Sequence, residues 1–343
     1  MRGRSAKIVD VARVAGVSVA TVSRALSTPE IVSAETRALV LAAVSETGYT
    51  INQAARNLRR RQTMSVVALV PNLSNPFFSQ ILSGIAGVLA PAGYNLLVVD
   101  TKAPGADPHL VLRLDRSRAD GLIVFDGLVP AADLEPDGER PPVIMACEWI
   151  DGLDLPSIRV DNEGGARLAI DHLVGLGHRA IGHVAGPAGN ILARSRAEAT
   201  RAALRAHGLP VRPDWHFDGD FSLEAGRRAA LAWLALEERP TAIFCASDEM
   251  ACGFIGEIQT RGLVVPRDVS VVGFDDIEIV AHITPALTTV RQPRRAIGEA
   301  AARDLLRLVE QRTPAPAPAG ESAPHATILP VELIARASTG AVG

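Results

Sequence analysis

Residues 8–26 read IVDVARVAGVSVATVSRAL and predict two short helices joined by a tight turn at Gly16-Val17. Ser18 favours the start of the second helix, because its hydroxyl can accept a hydrogen bond from a backbone N–H that the first turn leaves unpaired. Helical spacing places the apolar residues of the two segments on facing sides, so the pair can bury a common core. The residues predicted to pack together are Val22, Ala25 and Leu26 of the second helix and Val11, Val14 and Ala15 of the first.

The outer face of the second helix is small and partly apolar, and it ends in one long cation. Such a face fits the major groove of DNA, where methyl groups contact thymine and Arg hydrogen-bonds guanine O6 and N7. Geometry alone does not exclude the alternative interpretation, in which the helical hairpin serves only as a core or as a protein contact. The side chains predicted to contact DNA are Val19, Ala20 and Arg24 at the bases, with Thr21 and Ser23 on or near phosphate.

Charge is distributed unevenly along the chain. Residues 1–63 hold ten Lys or Arg against four Asp or Glu, a net charge of +6, so the remaining residues must carry −9 to give the chain its −3. A basic module on an acidic body is typical of a nucleic-acid binder whose larger part has another role. Within the basic module, residues 33–48 predict a third helix with an apolar face of Val40, Leu41 and Val44.

Composition limits the remaining possibilities. The chain has 343 residues, of which 48% are hydrophobic and 4% aromatic, which suits two or three domains with aliphatic cores. It contains no apolar run of the roughly 18 residues that a membrane span needs, and no apolar segment follows the basic N-terminus as in a secretory signal. Cys147, Cys245 and Cys252 lack the spacing of a disulfide frame or a zinc site, so we expect free thiols, no metal and a cytoplasmic protein.

From Val66 onward, continuous apolar runs alternate with helical segments, one of which begins after Asn75-Pro76 and continues to Ala90. Apolar runs without polar alternation favour parallel strands covered on both faces. The same alternation of apolar runs and helical segments begins again near Ala180. We therefore expect an α/β body of two similar parallel-sheet subdomains, with a ligand between them at the carboxyl ends of the strands. The predicted strands are 66–70, 95–99, 121–125, 143–146, 180–185, 241–245 and 269–274, with a last strand at 328–334 after a Pro/Ala-rich loop at 313–325.

The string Asp10-Val-Ala-Arg-Val-Ala-Gly-Val-Ser18, followed by Thr21-Val-Ser-Arg24, resembles the headpiece of the lac/gal repressor family. Matching landmarks continue over nearly the whole length, at 176–181, 185–187, 246–248, 269–276 and 287–292. The resemblance implies a three-helix helix-turn-helix headpiece on a bilobal body similar to periplasmic sugar-binding proteins. It implies a headpiece at 1–50, a hinge at 51–63 and a body at 64–343, divided into an N-subdomain (64–160 and 292–320) and a C-subdomain (161–291 and 321–343).

The hinge segment is polar and rich in Arg, which usually indicates a solvated linker. In the resembled family this segment forms a helix on DNA, where two copies pair and a leucine wedges into the minor groove. By that resemblance Leu58 is the wedge, and Asn52 and Ala55 also match positions that contact DNA. Wedging of this kind costs unstacking energy that contacts on the bent DNA repay. Ile51 stands where the family usually has Pro, so hinge folding is expected to cost slightly more here.

The resemblance also implies an effector site between the subdomains. Arg196 and Asp275 match ligand-binding positions of the family, where forked donors and a carboxylate can hold hydroxyl groups. Structural ion pairing is the alternative for both, and ordinary core packing is the alternative for the two adjacent phenylalanines. The predicted ligand contacts are Phe77, Phe78, Glu148, Asn190, Leu192, Arg196, Phe221, Ser247, Asp275 and Gln292.

One local feature bears on the effector. The family often has Asp at the position of Cys147, whereas here the nearest carboxylate is Glu148. The stretches at 145–149 and 155–162 look more like the cytidine-responsive branch of the family. A nucleoside and a sugar are therefore the two alternatives expected for the effector.

An enzyme would need a constellation that the sequence lacks: it has no GxSxG elbow, P-loop, HExxH motif or GxGxxG after a strand. His172, His178 and His183 do not share a helix face, so we expect capping or packing roles, with no cofactor and no catalytic residue. The expected protein is a cytoplasmic homodimeric repressor on double-stranded operator DNA, controlled by a small-molecule effector. The alternative is a solute-binding protein or a sugar-acting enzyme with the same bilobal body.

Overall fold

A computed structural model describes residues 6–49, 62–107, 109–135, 140–311 and 326–342. The chain divides into two compact units, residues 1–61 and residues 62–343. Within its described residues 6–49, the first unit is a headpiece with three α-helices: α1 (Ile8–Ala15), α2 (Val19–Ser27) and α3 (Ala34–Thr47).

Local sequence fixes the helix ends of the headpiece. Ser18 Oγ accepts a hydrogen bond from the Thr21 backbone N–H at 3.1 Å, which confirms the predicted N-cap of α2. Gly16 ends α1 with a φ of +66°, a left-handed conformation that costs Gly little. Ser33 caps α3 in the same way as Ser18 caps α2.

The headpiece core is small and aliphatic. Two predicted core positions are wrong: Val14 is 40% exposed and Leu41 is 48% exposed. Leu41 directly follows the buried Val40, and one residue turns the side chain by about 100°, so it faces away from the other helices. The buried residues are Val11, Ala12, Val22, Ala25, Val40 and Ala43.

The second unit is an α/β body with twelve strands among its described residues. They form two six-stranded sheets, each with parallel strands apart from one antiparallel pair in the second sheet. The strands are β1 (Ser65–Val70), β2 (Asn95–Asp100), β3 (Gly121–Val124), β4 (Val143–Ala146), β5 (Ser157–Val160), β6 (Ile181–Val184), β7 (His216–Phe217), β8 (Ala242–Cys245), β9 (Ser270–Asp275), β10 (Thr288–Arg291), β11 (Ala326–Leu329) and β12 (Glu332–Ile334).

The two sheets define two lobes. The first lobe has the strand order β11-β5-β4-β3-β1-β2, and the second has the order β12-β10-β9-β8-β6-β7. The α/β class with two parallel-sheet subdomains is therefore confirmed. Apart from short 3-10 turns, the helices in the described residues of the body are α4 (Phe77–Leu89), α5 (Ala131–Leu134), α6 (Asn162–Gly175), α7 (Ile191–Ala206), α8 (Leu223–Ala235), α9 (Asp248–Thr260) and α10 (Arg294–Glu310).

The chain passes between the lobes at three points. It enters the second lobe between Val160 and Asn162, and returns after Arg291 into α10, which packs on α4 in the first lobe. Gly298 lets these two helices approach closely, since a Cβ there would lie 2.0 Å from the Ile81 carbonyl oxygen.

The third passage differs from the expectation. The predicted strand 328–334 is two strands: β11 pairs with β5 in the first sheet, and β12 pairs with β10 in the second. Pro330 lies between them and has no N–H for a ladder, so the pairing breaks there. The chain therefore crosses after Leu329, later than the crossing near 321 that the resemblance implies.

The strand predicted at 95–99 is present, but the prediction that it is buried is wrong. β2 lies at the edge of the first sheet, where Leu97 is 48% exposed and Val98 is 36% exposed. An apolar run satisfies the strand pattern without specifying whether the strand is central or at an edge.

Candidate DNA-reading face and effector cleft

The outer face of α2 presents the side chains that the sequence predicts. Val19 is 40% exposed, and Ala20 and Arg24 are also exposed. The Arg24 guanidinium makes no hydrogen bond or ion pair with any residue that the structure describes, so it is available to a base edge.

Thr21 and Ser23 are half-buried. The Thr21 and Ser18 hydroxyls lie 2.8 Å apart, so Thr21 shares in the N-cap and its hydroxyl is partly engaged. The predicted hinge contacts Asn52, Ala55 and Leu58 lie outside the described residues.

A cavity of about 370 Å³ opens in the body where the strands of both sheets end. This is the edge at which open parallel sheets bind ligands, and the volume suits one small molecule. Of the ten predicted contacts, Gln292 does not line the cavity. The nine that do are Phe77, Phe78, Glu148, Asn190, Leu192, Arg196, Phe221, Ser247 and Asp275.

Arg196 supplies a buried cation on the second lobe. Its Nε donates to Asn162 Oδ1 at 2.9 Å and its Nη1 donates to the Ala246 carbonyl at 2.6 Å. The guanidinium also lies 3.7 Å from the centroid of the Phe274 ring, a cation–π contact that fixes its plane. Burial lowers the pKa of Arg196, and the Asp275 carboxylate opposes this shift. Nη2 has no hydrogen-bond partner among the described residues and can donate to a ligand.

Asp275, the last residue of β9, places a carboxylate beside Arg196. Asp275 Oδ1 lies 3.9 Å from Arg196 Nη1 and accepts a hydrogen bond from Gln292 Nε2 at 2.7 Å. Gln292 therefore orients Asp275 from behind the cavity wall. Burial raises the pKa of Asp275 to about 6, although Arg196 and Gln292 act to lower it.

A second carboxyl group supports this site from inside the lobe. Asp248 is fully buried, accepts from Thr289 Oγ1 at 2.5 Å and accepts from the Ile277 backbone N–H at 2.8 Å. Burial and the neighbouring Asp275 raise the pKa of Asp248 to about 8. The sequence patterns do not single out Asp248, whose position behind the cleft only the fold reveals.

Glu148 supplies a carboxyl group on the first lobe. Its Oε2 accepts from the Gly127 backbone N–H at 2.7 Å, and its Oε1 accepts from Asn190 Nδ2 at 2.6 Å. Asn190 caps α7 through its other side-chain atom, which accepts from the Leu192 and Ala193 backbone N–H groups. Burial raises the pKa of Glu148, and these two hydrogen bonds oppose the shift.

Aromatic rings form the apolar part of the cavity. The Phe77 and Phe78 rings meet edge to face at 5.1 Å, and Phe78 meets Phe125 in the same way at 5.7 Å. Phe221 contributes a ring from the second lobe, next to Gly186, where a Cβ would lie 2.3 Å from that ring. The cavity therefore offers apolar surface for a flat ligand between polar groups at both lobes.

Three residues that line the cavity have left-handed backbone conformations, with φ of +64° at Cys147, +66° at Phe221 and +125° at Asp275. Such conformations cost about 1–3 kcal/mol in a residue other than Gly, and they cluster at functional sites. Their concentration here indicates that the strand ends are shaped for a ligand.

Several cavity residues were missed from the sequence. They share a position at or just after the carboxyl end of a strand or in the loop that follows it, which is the signal that could have found them. They are Asn72, Asp100, Lys102, Phe125, Asp220 and Ser222.

Each of the three singled-out histidines has a partner through at least one ring nitrogen, which for His183 is the Phe244 carbonyl oxygen at 3.0 Å from Nδ1. His172 Nε2 lies 2.9 Å from Thr339 Oγ1, and His178 contacts Thr241 and Ser270 hydroxyls. Within the described ranges, no group of three or more His, Cys, Asp or Glu could hold a metal ion. The three cysteines are free. No helix in the described part of the chain is long and apolar enough to cross a membrane.

Comparisons with known proteins agree with this architecture. Residues 7–52 match the model for bacterial regulatory proteins of the lacI family, and residues 170–339 match a periplasmic binding protein-like domain. The HTH-type transcriptional repressor CytR of Escherichia coli K12 is 37% identical over 98% of this chain and 97% of its own length. The repressor PurR of Aliivibrio salmonicida is 36% identical over 90% of this chain and 93% of its length.

A solved structure extends the similarity to the whole fold. The lac repressor dimer bound to operator and the anti-inducer ONPF has a TM-score of 0.84 and 31% identity, over 98% of this chain and 100% of that one. These similar proteins are repressors rather than enzymes or solute-binding proteins. The chain belongs to the lacI family of bacterial regulatory proteins and is a DNA-binding transcriptional repressor regulated by a small molecule.

Proposed function

We propose that the chain represses transcription as a cytoplasmic homodimer on a near-palindromic operator, and that a pyrimidine nucleoside bound in the cleft sets its affinity for that operator. The observation that carries the effector assignment is the pair of carboxyl groups that face one cavity from opposite lobes, Glu148 and Asp275, with phenylalanine rings beside them. We assign no catalytic role to any residue.

The DNA side of the proposal rests on α2. Val19 and Ala20 offer methyl groups to thymine, and Arg24, which has no partner among the described residues, offers forked donors to guanine. With one long polar side chain among these three, base readout by hydrogen bonds is sparse. Half-site spacing in a dimer and DNA bending by the hinge then supply the remaining selectivity.

The effector side rests on complementary chemistry. A carboxylate accepts well from the exocyclic amino group of cytosine, and Glu148 has lone pairs beyond the two that its partners use. The ribose diol can donate to Asp275 and accept from Arg196 Nη2, while the base lies against the phenylalanine rings. A ligand held this way bridges the two lobes.

A monosaccharide is the second candidate. The Arg196–Asp275 pair suits the diol of any sugar, and the cavity volume of about 370 Å³ admits one ring. The nucleoside is favoured because a sugar alone leaves the Glu148 and phenylalanine side of the cavity without an amino group or flat ring to contact.

Control of the operator follows by linkage. A ligand shifts the balance between two conformations only by binding one of them better, and the same coupling then appears in DNA affinity. A nucleoside that contacts both lobes binds differently when the angle between the lobes changes, so it meets this requirement.

Calorimetry of the purified full chain with cytidine, uridine and ribose tests the proposal. Cytidine is expected to bind at least about tenfold tighter than uridine, which lacks the amino group, and tighter still than ribose. Duplexes selected from a random pool by the protein then report operator affinity with and without cytidine. Tighter binding of ribose than of cytidine would mean that the effector is a sugar rather than a nucleoside. An operator affinity that cytidine does not change would overturn the effector role.

A further inference from the structure

The second lobe contains another cavity, of about 250 Å³, on the opposite side of α7 from the cleft. Arg196 faces the cleft and Arg201 lines this second cavity. Five residues along a helix turn the side chain by about 140°, so one helix serves two separate pockets. The wall of the second cavity is largely apolar and includes Ile181, Leu204 and Trp215.

A buried histidine in this wall has one unsatisfied ring nitrogen. His183 is 5% exposed and its ring stacks on Phe244 at 5.1 Å. Its Nδ1 lies 3.0 Å from the Phe244 carbonyl oxygen, which can only accept, so Nδ1 carries the proton. Nε2 is the one fully buried side-chain N or O atom without a hydrogen-bond partner among the described residues.

The missing partner of His183 must be a donor. Burial, helped by the neighbouring His216, lowers the pKa of His183 to about 3, so the ring is neutral at physiological pH. A neutral ring that donates through Nδ1 presents a lone pair at Nε2. An unmet acceptor in a buried site is destabilising, and a bound hydroxyl group would satisfy it.

A cation beside the same cavity has no anionic partner among the residues that the structure describes. Arg201 is half-buried and makes no ion pair or hydrogen bond with any residue in the described ranges. Arg212, which also lines the cavity, differs because its guanidinium is already bound by Asp214 and Glu238. Arg201 therefore offers the uncompensated charge that a ligand carboxylate would meet.

We propose that this cavity is a second small-molecule site, distinct from the effector cleft, that takes a hydroxylated aromatic carboxylate. The ligand hydroxyl donates to His183 Nε2, the carboxylate accepts from Arg201, and the ring lies on the apolar wall beside Trp215. An aliphatic diol or a sugar fits less well, because most of the wall is apolar and two of its other polar side chains, Thr200 and Arg212, already bind other groups.

Calorimetry of the full chain with 3- and 4-hydroxybenzoate, benzoate and phenol tests this assignment. One hydroxybenzoate isomer is expected to bind at least about tenfold tighter than benzoate, which lacks the donor, and than phenol, which lacks the carboxylate. Equal affinity for benzoate and both isomers, or no saturable binding by any of them, would overturn the proposal. So would a crystal soaked with the tighter isomer that holds only a water at His183 Nε2.

Variants locate the binding. Arg201→Gln and His183→Phe are each expected to weaken the hydroxybenzoate at least about tenfold, and Phe keeps the stacking on Phe244 if His183→Phe folds. Arg201→Gln alters a half-exposed side chain and keeps the test decisive if the other variant is unstable. Arg205→Gln, on the same helix but away from the cavity, should bind normally. Loss of binding in Asp275→Asn instead would place the ligand in the effector cleft and overturn the assignment.

Discussion

Asn190 Nδ2 lies 2.6 Å from Glu148 Oε1, and this buried hydrogen bond joins the two lobes inside the cavity itself. Both side chains are less than a tenth exposed, and each also makes a second structural contact, since Glu148 binds the Gly127 N–H and Asn190 caps α7. A second direct contact between the lobes, Arg194 to Asp151, is instead exposed at both ends. The Glu148–Asn190 bond is therefore positioned to sense a ligand, whereas the surface pair is not.

Glu148→Ala should weaken cytidine binding by about 10- to 100-fold, because it removes a ligand acceptor and leaves the Asn190 amide and the Gly127 N–H unpaired. Titration calorimetry measures the loss. Arg194→Ala provides the matched control, since an exposed ion pair contributes about 0–1 kcal/mol and its loss should change the affinity little. Equal losses in the two variants would show that the buried bond has no special role.

The buried Asp248 predicts how stability depends on pH. Burial and the neighbouring Asp275 raise its pKa well above the ordinary 3.8, so between these two pKa values the folded state holds a proton that the unfolded chain has released. Stability associated with this group is therefore present at low pH and is lost as the pH rises through about 8. Asp248→Asn keeps an acceptor for Ile277 and a partner for Thr289 but cannot ionise.

Thermal unfolding between about pH 5 and about pH 9, on either side of the raised pKa of Asp248, checks this expectation. The melting temperature of Asp248→Asn, relative to the original chain, should increase as the pH increases. A constant difference across the range would mean that Asp248 does not change its ionisation on unfolding.

Much of the fold could be predicted because its signals are local. Ser18, Ser33 and Gly16 fix helix ends through their own side chains or backbone freedom, and continuous apolar runs marked most central strands. The exposure of Leu97 and the split of the last strand could not be predicted this way, since both depend on which strand lies beside which. Pro330 was a usable signal for the split, because it cannot continue a ladder.

The site shows the same limit. Arg196 and Asp275 were expected only through the family resemblance, and the structure places both in the cavity. Gln292 was predicted as a ligand contact, yet it lies behind Asp275 and orients it. Asp248 and Lys102 carry no local motif, and their relation to the cleft depends on how strands distant in sequence are arranged.

Arg24→Ala should remove the preference for the selected operator over a scrambled duplex, with a loss of about 1–3 kcal/mol on the specific site. The reason is that Arg24 is the long polar donor of the reading face and has no partner in the described structure. Fluorescence anisotropy with both duplexes measures the preference. Arg13→Ala removes an exposed cation that pairs with Asp10 on α1 and should keep the preference. Cytidine affinity should be unchanged in both variants.

Leu58→Ala should reduce DNA bending and weaken specific binding, if the hinge acts as the family resemblance implies. Wedging a leucine between base pairs costs unstacking energy that contacts on the bent DNA repay. Loss of the wedge should therefore change the DNA bend angle more than it changes the contacts made by α2. Energy transfer between dyes at the two ends of an operator duplex reports the angle. An unchanged angle would remove Leu58 from the mechanism.

Arg196→Lys should abolish most of the response of operator binding to cytidine while operator affinity without cytidine persists. Lysine keeps the charge but cannot reproduce the donors to Asn162 and the Ala246 carbonyl together with the stacking on Phe274. Calorimetry and anisotropy on the same preparation separate the two effects. Arg194→Lys, two residues earlier on α7 and exposed, is the matched control and should respond normally. A full response in Arg196→Lys would mean that charge alone suffices, and that the fixed guanidinium geometry is not what recognises the effector.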